Sequence, residues 1–170
     1  DKEEFERQTR KYECEKFFEE FVFTPKFPKE EWIKGATVES LKHKYFEVWQ
    51  DFIVRFWKSK EKNVLFIPCS YTKPYTNSPL IKAILKNINT GYDLIVISTP
   101  GVIPIEFAKK YPFNKYDWPE WEETPEVMRE YVKIIRKRCE EFLKKHKYEK
   151  YYCYLKYTET YEALKKACEK

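Results

Sequence analysis

Two short apolar runs with an amphipathic helix between them set the terms for this fold. Val64-Leu65-Phe66-Ile67 has strand length and a β-rich composition, and Asp93-Leu94-Ile95-Val96-Ile97-Ser98 is a near-continuous apolar run of the kind buried in parallel sheets. Pro68 closes the first run, because proline cannot donate to a central ladder. Between the runs, Ser78 as N-cap and Pro79 at the first helical position open a helix that reaches about Asn89 and ends at Asn89-Thr90-Gly91. Strand, helix and strand in that order require a right-handed crossover and parallel strands. The loops that follow the two strands, Pro68–Ser78 and Thr99-Pro100-Gly101, then leave the same edge of one sheet, where α/β folds bind ligands. This arrangement predicts that Cys69 and Lys73 lie near Ser98 and Glu106.

The flanks read as helices that cover such a sheet. Residues 2–22 predict an N-terminal helix, and Phe23–Pro28 a proline-bearing connector. A helix is predicted over 38–58, capped by Thr37, with two apolar stripes. Leu41, Tyr45, Val48, Phe52 and Phe56 form one, and Phe46, Trp49, Ile53 and Trp57 the other. The predicted elements continue with a short helix over 104–110 carrying Glu106 and an aromatic, acidic loop over 111–121. A long helix from Thr124-Pro125 to about Lys145, a third strand over 151–155 and a final helix over 159–170 complete the chain. The expectation is one α/β domain over 1–170, with 1–34 as N-terminal helix and connector and 35–170 as core. Its fold class is a three-layer sandwich around a short, mostly parallel sheet.

Composition narrows the function classes. With 42% hydrophobic residues in 170, the chain can build a sizeable core and is not disordered. The net charge of +5 is unevenly placed: residues 35–92 and 124–170 each carry +5, while 1–34 and 93–123 carry −2 and −3. Basic segments flanking the Cys69 loop and marking the C-terminal helices fit a polyanion such as RNA; solvated lysine-rich helix faces are the plainer alternative. Cys14, Cys69, Cys139, Cys153 and Cys168 form no Cys-x-x-Cys pair, and the two histidines, His43 and His146, are far apart. That pattern predicts a reducing, cytoplasmic setting, no structural metal and no cofactor. No apolar run is long enough for a membrane span, and no signal peptide is visible.

The loop after the first strand carries the chemistry. Pro68-Cys69-Ser70-Tyr71-Thr72-Lys73-Pro74-Tyr75-Thr76-Asn77-Ser78 places a thiol, an amine, phenols and hydroxyls together, a set suited to nucleophilic catalysis. Cys69 follows a strand and precedes a helix N-terminus, the end that favours anions. The bland reading of Cys69 is a small residue at a strand end, and that of Ser78 is a helix cap. The other four cysteines read as structural.

This loop resembles the signature of the archaeosine synthase family, in which Pro-Cys, three residues, Lys-Pro-Tyr, two residues, Ser, two residues and His recur. Pro68, Cys69, Lys73, Pro74, Tyr75 and Ser78 match it, and Ile81 stands where the family has histidine. Ser98–Glu106, Tyr111-Pro112 and Tyr116-Asp117 also look like the family. The resemblance implies a uracil-DNA glycosylase-like α/β fold. It also implies a tRNA-modifying activity that joins the side-chain amine of free lysine to the nitrile of 7-cyano-7-deazaguanine at position 15 of archaeal tRNA. Under it Cys69, Lys73, Tyr75 and Glu106 are the catalytic candidates. Pro68, Ser70, Ser78, Ser98, Thr99, Gly101 and Asp117 are expected to line the substrate, with Glu106 or Asp117 binding the incoming ammonium or acting as base. Family members are longer, with a transglycosylase-like part and an RNA-binding domain. The implied partners are therefore tRNA, and a radical-SAM lyase or a separate chain carrying the RNA-binding domain. Two other readings stand beside this one. The first is a non-catalytic RNA- or protein-binding subunit that docks through helix 38–58. The second is a nucleobase glycosylase-like hydrolase.

Overall fold

The computed structural model describes residues 24–88, 91–156 and 158–169, and the helix expected over 2–22, with Cys14, lies outside them. The elements run α1 (Val38–Leu41), α2 (Lys44–Arg55), β1 (Asn63–Pro68), α3 (Pro79–Asn87), β2 (Tyr92–Ser98), β3 (Gly101–Pro104), α4 (Pro125–Lys145), β4 (Lys150–Cys153) and α5 (Glu159–Cys168). The fold is mixed α/β around a four-stranded sheet in the order β3-β2-β1-β4. β1 pairs parallel with β2, from Asn63 opposite Tyr92 to Pro68 opposite Ile97, as the crossover argument requires. β4 adds in parallel to the other side of β1.

β3 departs from the sequence reading. Thr99-Pro100-Gly101 does not lead away from the sheet; it turns the chain straight back, and β3 pairs antiparallel with β2. Gly101 makes the reversal with φ +121°, and a Cβ there would meet Gln50 Oε1 at 2.5 Å and Arg138 Cδ at 2.9 Å. Val102-Ile103 between prolines is too short and too interrupted to announce itself as a strand. Pro104 is tolerated because β3 is an edge. The short helix expected over 104–110 reduces to a single 3-10 turn over Ile105–Phe107.

The helix expected over 38–58 is two helices. Thr37 caps α1, its Oγ1 accepting from Ser40 N at 3.1 Å. The chain breaks at His43, which is extended and caps α2 by accepting from Tyr45 N on Nδ1 at 3.1 Å. The stripe of Phe46, Trp49, Ile53 and Trp57 is buried, while the other divides: Leu41 is buried, Tyr45 and Phe52 pack against the core, and Val48 and Phe56 are exposed. Thr124 caps α4 as expected, with Oγ1 accepting from Val127 N at 3.2 Å.

α4 packs on the sheet through Phe142, whose ring meets Phe66 of β1 and stacks on Trp57. At the amino edge of the sheet Asp93 is buried and closes that end, its Oδ2 accepting from Ser59 Oγ at 2.7 Å and Tyr148 Oη at 2.9 Å. Asp93 thereby fixes the amino edge and leaves the carboxyl edge to carry the loops of interest. No helix among the described residues is long and apolar enough to cross a membrane.

Candidate active site

β1 ends at Pro68, and the next side chain, the Cys69 thiol, is exposed at the carboxyl edge. The loop then folds over its own lysine. Lys73 Nζ donates to Ser70 O at 2.5 Å and to Tyr71 O at 3.3 Å. It also lies 4.4 Å from the centroid of the Tyr116 ring and 5.5 Å from that of Tyr75, so two aromatic faces hold the cation. Burial lowers the Lys73 pKa, and the neighbouring Cys69 sulfur and then the Asp117 carboxylate oppose that shift. Cys69, Lys73 and Asp117 therefore share one electrostatic environment.

Beneath them runs a chain of hydroxyls. The Tyr75 and Tyr116 hydroxyls are hydrogen-bonded to each other, and Tyr116 Oη pairs with Ser98 Oγ at 2.8 Å. Burial raises the pKa of both tyrosines well above the ordinary value, so both remain neutral donors. Tyr75 is fully buried, which removes it as a surface on which a base could stack. Tyr131 is buried nearby, which raises its pKa, and pairs its hydroxyl with Thr160 at 2.9 Å.

The expected residues divide by position. Pro68, Cys69, Ser70, Lys73, Tyr75, Ser98 and Asp117 gather at the carboxyl edge. Thr99 and Gly101 are at the same edge but buried, with Thr99 O accepting from Arg138 Nη1 at 2.8 Å. Ser78 occupies the N-cap position of α3 yet makes no side-chain capping bond. Glu106 does not join the group. The antiparallel course of β3 carries it to the amino edge, where its Oε1 accepts from Trp57 Nε1 at 2.7 Å and meets Lys60 Nζ at 3.5 Å. At ~3.3 Å per strand residue, that is on the order of 15 Å from Cys69. Ile81, at the family's histidine position, is wholly buried, so the α3 side chain there belongs to the core.

Three features escaped the sequence reading. Tyr116 is the centre of the hydroxyl chain, although in the sequence it stands out only as the neighbour of Asp117. Arg138 is buried and ties the β2–β3 turn to the helices, with Nη2 donating to Leu41 O at 3.0 Å and to Glu47 Oε1 at 2.6 Å. Its place on the apolar stripe of α4, between Ile135 and Phe142, was the available signal. Tyr71 and Trp121, both exposed, bring their rings within 6.4 Å at the rim of the Cys69 loop. A separate hollow of about 440 Å³, lined by residues including Trp32, Lys34, His43 and Tyr45, contains none of the expected site residues. No group of three histidine, cysteine, aspartate or glutamate side chains among the described residues could hold a metal ion.

The family model described as "Domain of unknown function (DUF5591)" matches residues 46–170, which include every element from α2 to α5 except the start of α2. The chain belongs to the DUF5591 family. A curated relative, archaeosine synthase subunit alpha of Thermoplasma acidophilum, is 26% identical over 117 residues, covering 64% of this chain and 22% of that protein. The chain thus spans about a fifth of that relative's length. Among solved structures, the crystal structure of AF0587, a protein of unknown function, superposes with a TM-score of 0.54 at 18% identity, over 71% of this chain and 39% of that one. At that identity it speaks for a shared α/β fold alone.

Proposed function

We propose that this DUF5591 domain is a tRNA-modifying, archaeosine synthase-like domain, with a three-layer, uracil-DNA glycosylase-like architecture, that adds an amine to the nitrile of 7-cyano-7-deazaguanine in archaeal tRNA. The observation that carries the reading is the exposed Cys69 thiol at the carboxyl edge of β1 with the half-buried Lys73 cation sharing its environment. The similarity to archaeosine synthase subunit alpha supports the substrate class.

The chemistry follows from the groups present. The Cys69 sulfur adds to the nitrile carbon while a proton passes to the nitrile nitrogen, giving a thioimidate. Lys73, an ammonium whose pKa is lowered by burial, supplies that proton. The neutral amine of lysine then adds to the same carbon. The carbon–sulfur bond breaks, the thiolate leaves, the proton lost by the attached amine returns to Lys73 and restores its ammonium, and an amidine remains. Asp117 holds the incoming ammonium and accepts its proton. Tyr75, Tyr116 and Ser98 position the loop from below, and Glu106, at the far edge, has no part.

Incubation of the protein with nitrile-bearing tRNA in the absence of amine tests the covalent step. Intact-mass analysis after acid quench is expected to show a protein–RNA adduct that maps to Cys69 and disappears on addition of lysine. Amine transfer that survives Cys69→Ser at full rate would overturn the covalent route. The buried Ile81 favours a second reading, a binding subunit without the histidine-dependent step, which predicts tRNA binding with no adduct under any condition.

A further inference from the structure

The Cys69 site has a neighbour that the chemistry above leaves unused. Residues 144–156, Lys-Lys-His-Lys-Tyr-Glu-Lys-Tyr-Tyr-Cys-Tyr-Leu-Lys, hold five lysines against one glutamate, with tyrosines interleaved. That glutamate, Glu149, is met by Lys62 at 3.9 Å, so the surface remains strongly basic. β4 lies within this segment. It is an edge strand and all four of its residues are exposed. Among the described residues no element covers this edge strand, which presents tyrosines and lysines as a surface suited to a partner.

The register gives the surface a direction. β4 runs parallel to β1 with Cys153 opposite Phe66, and the Tyr154 N–H continues the ladder by donating to Phe66 O at 2.8 Å. Tyr154 and Lys156 therefore arrive at the carboxyl edge beside Pro68 and Cys69, while Lys147 and Lys150 stand at the amino edge. Alternation along the strand puts Tyr152 and Tyr154 on one face, where Tyr152 also meets Tyr92 with ring centroids 5.7 Å apart. Tyr152 and Tyr154 are 43% and 59% exposed. Tyr151 turns to the other face and is used internally, accepting from Tyr148 N at 2.9 Å.

We infer that β4 and its lysines form a track for single-stranded RNA that delivers an unpaired base to Cys69. Lys147, Lys150 and Lys156 contact phosphates along β4 and the segments on either side of it, and the Tyr152 and Tyr154 rings stack on bases. Positive charge with exposed rings selects a nucleic acid over a protein partner, and the open rings select unpaired bases over a duplex. The inference rests on the reading of Cys69 as the reacting group, which fixes the end of the track.

The test is fluorescence anisotropy of the whole chain with a labelled single-stranded RNA of about 12 nucleotides, titrated across a salt series. Lys147→Gln, Lys150→Gln and Lys156→Gln together are expected to reduce the slope of log affinity against log salt by about 2, at ~0.7 per lost phosphate contact. Tyr152→Ala with Tyr154→Ala is expected to weaken binding roughly tenfold or more without changing that slope. Tyr152→Phe with Tyr154→Phe should bind as the unchanged protein does, which keeps the test valid should the alanine pair fail to fold. Affinity that ignores both sets of changes, or duplex RNA competing as well as single strand, overturns the track. Those results would leave Cys69 untouched. Conversely, a protein that binds RNA along β4 yet forms no Cys69 adduct would overturn the catalytic reading and keep the track.

Discussion

Lys73 is where the loop's sequence becomes chemistry. A lysine in a surface loop ordinarily stays solvated, but here two backbone carbonyls and two tyrosine faces gather it in. Its lowered pKa means that the ammonium gives up a proton more readily than a free lysine does. Lys73→Arg keeps the charge and loses the titration, so amine transfer is expected to fall at least tenfold with RNA affinity unchanged; full activity would remove Lys73 as proton donor. Tyr116 makes a different prediction. Tyr116→Phe removes both hydroxyl bonds and leaves the Tyr75 and Ser98 oxygens buried without their partner, at a cost of about 1–3 kcal/mol, read from a denaturant melt. The cysteines can be ranked by reactivity. Brief alkylation of the native protein is expected to label the exposed Cys69 and spare Cys139, which is buried and whose pKa burial raises strongly; peptide mass spectrometry measures both.

Among the elements, the β2–β3 turn decides which residues meet. Gly101→Ala would place a methyl in a left-handed conformation and against Gln50 and Arg138, and is expected to cost more than about 2 kcal/mol by thermal or denaturant unfolding. The same turn separates what could be read from the sequence from what could not. β1, α3 and β2 were legible because an apolar strand, a Ser-Pro helix start and a second apolar strand each carry a local signal. So were the caps at Thr37 and Thr124, whose side chains make the bonds their positions suggest. β3 was not, since two apolar residues between a glycine and a proline announce no strand; only pairing with β2 makes one. Glu106 was misplaced for that reason, as its position depends on the direction of β3 and not on its distance from Ser98 along the chain. The break at His43 was hidden because the apolar spacing continues across it while the backbone does not. Tyr116 owes its role to long-range packing against Tyr75 and Ser98, which no local pattern encodes.

Among the described residues the sheet has one sealed end and one open end. Asp93 and its partners close the amino edge, where His146 also lies buried, with Nε2 2.9 Å from Ile53 O. Burial lowers the His146 pKa below its ordinary value, so the unfolded chain binds the proton more readily than the folded one. Folding stability is therefore expected to hold above pH ~6.5 and to decline as pH falls below it, with His43, lowered in the same direction, adding to the effect. His146→Gln should flatten that decline in urea melts taken across the range. The open end carries the central claim, that Cys69 is the nucleophile of an amine-transferring, tRNA-modifying site. Its most direct test is nucleoside mass spectrometry of tRNA carrying 7-cyano-7-deazaguanine after incubation with this protein and free lysine, beside a Cys69→Ala control. A lysine-sized mass gain present with the protein and absent from the control is the predicted result; no gain with either, while tRNA remains bound, would contradict it.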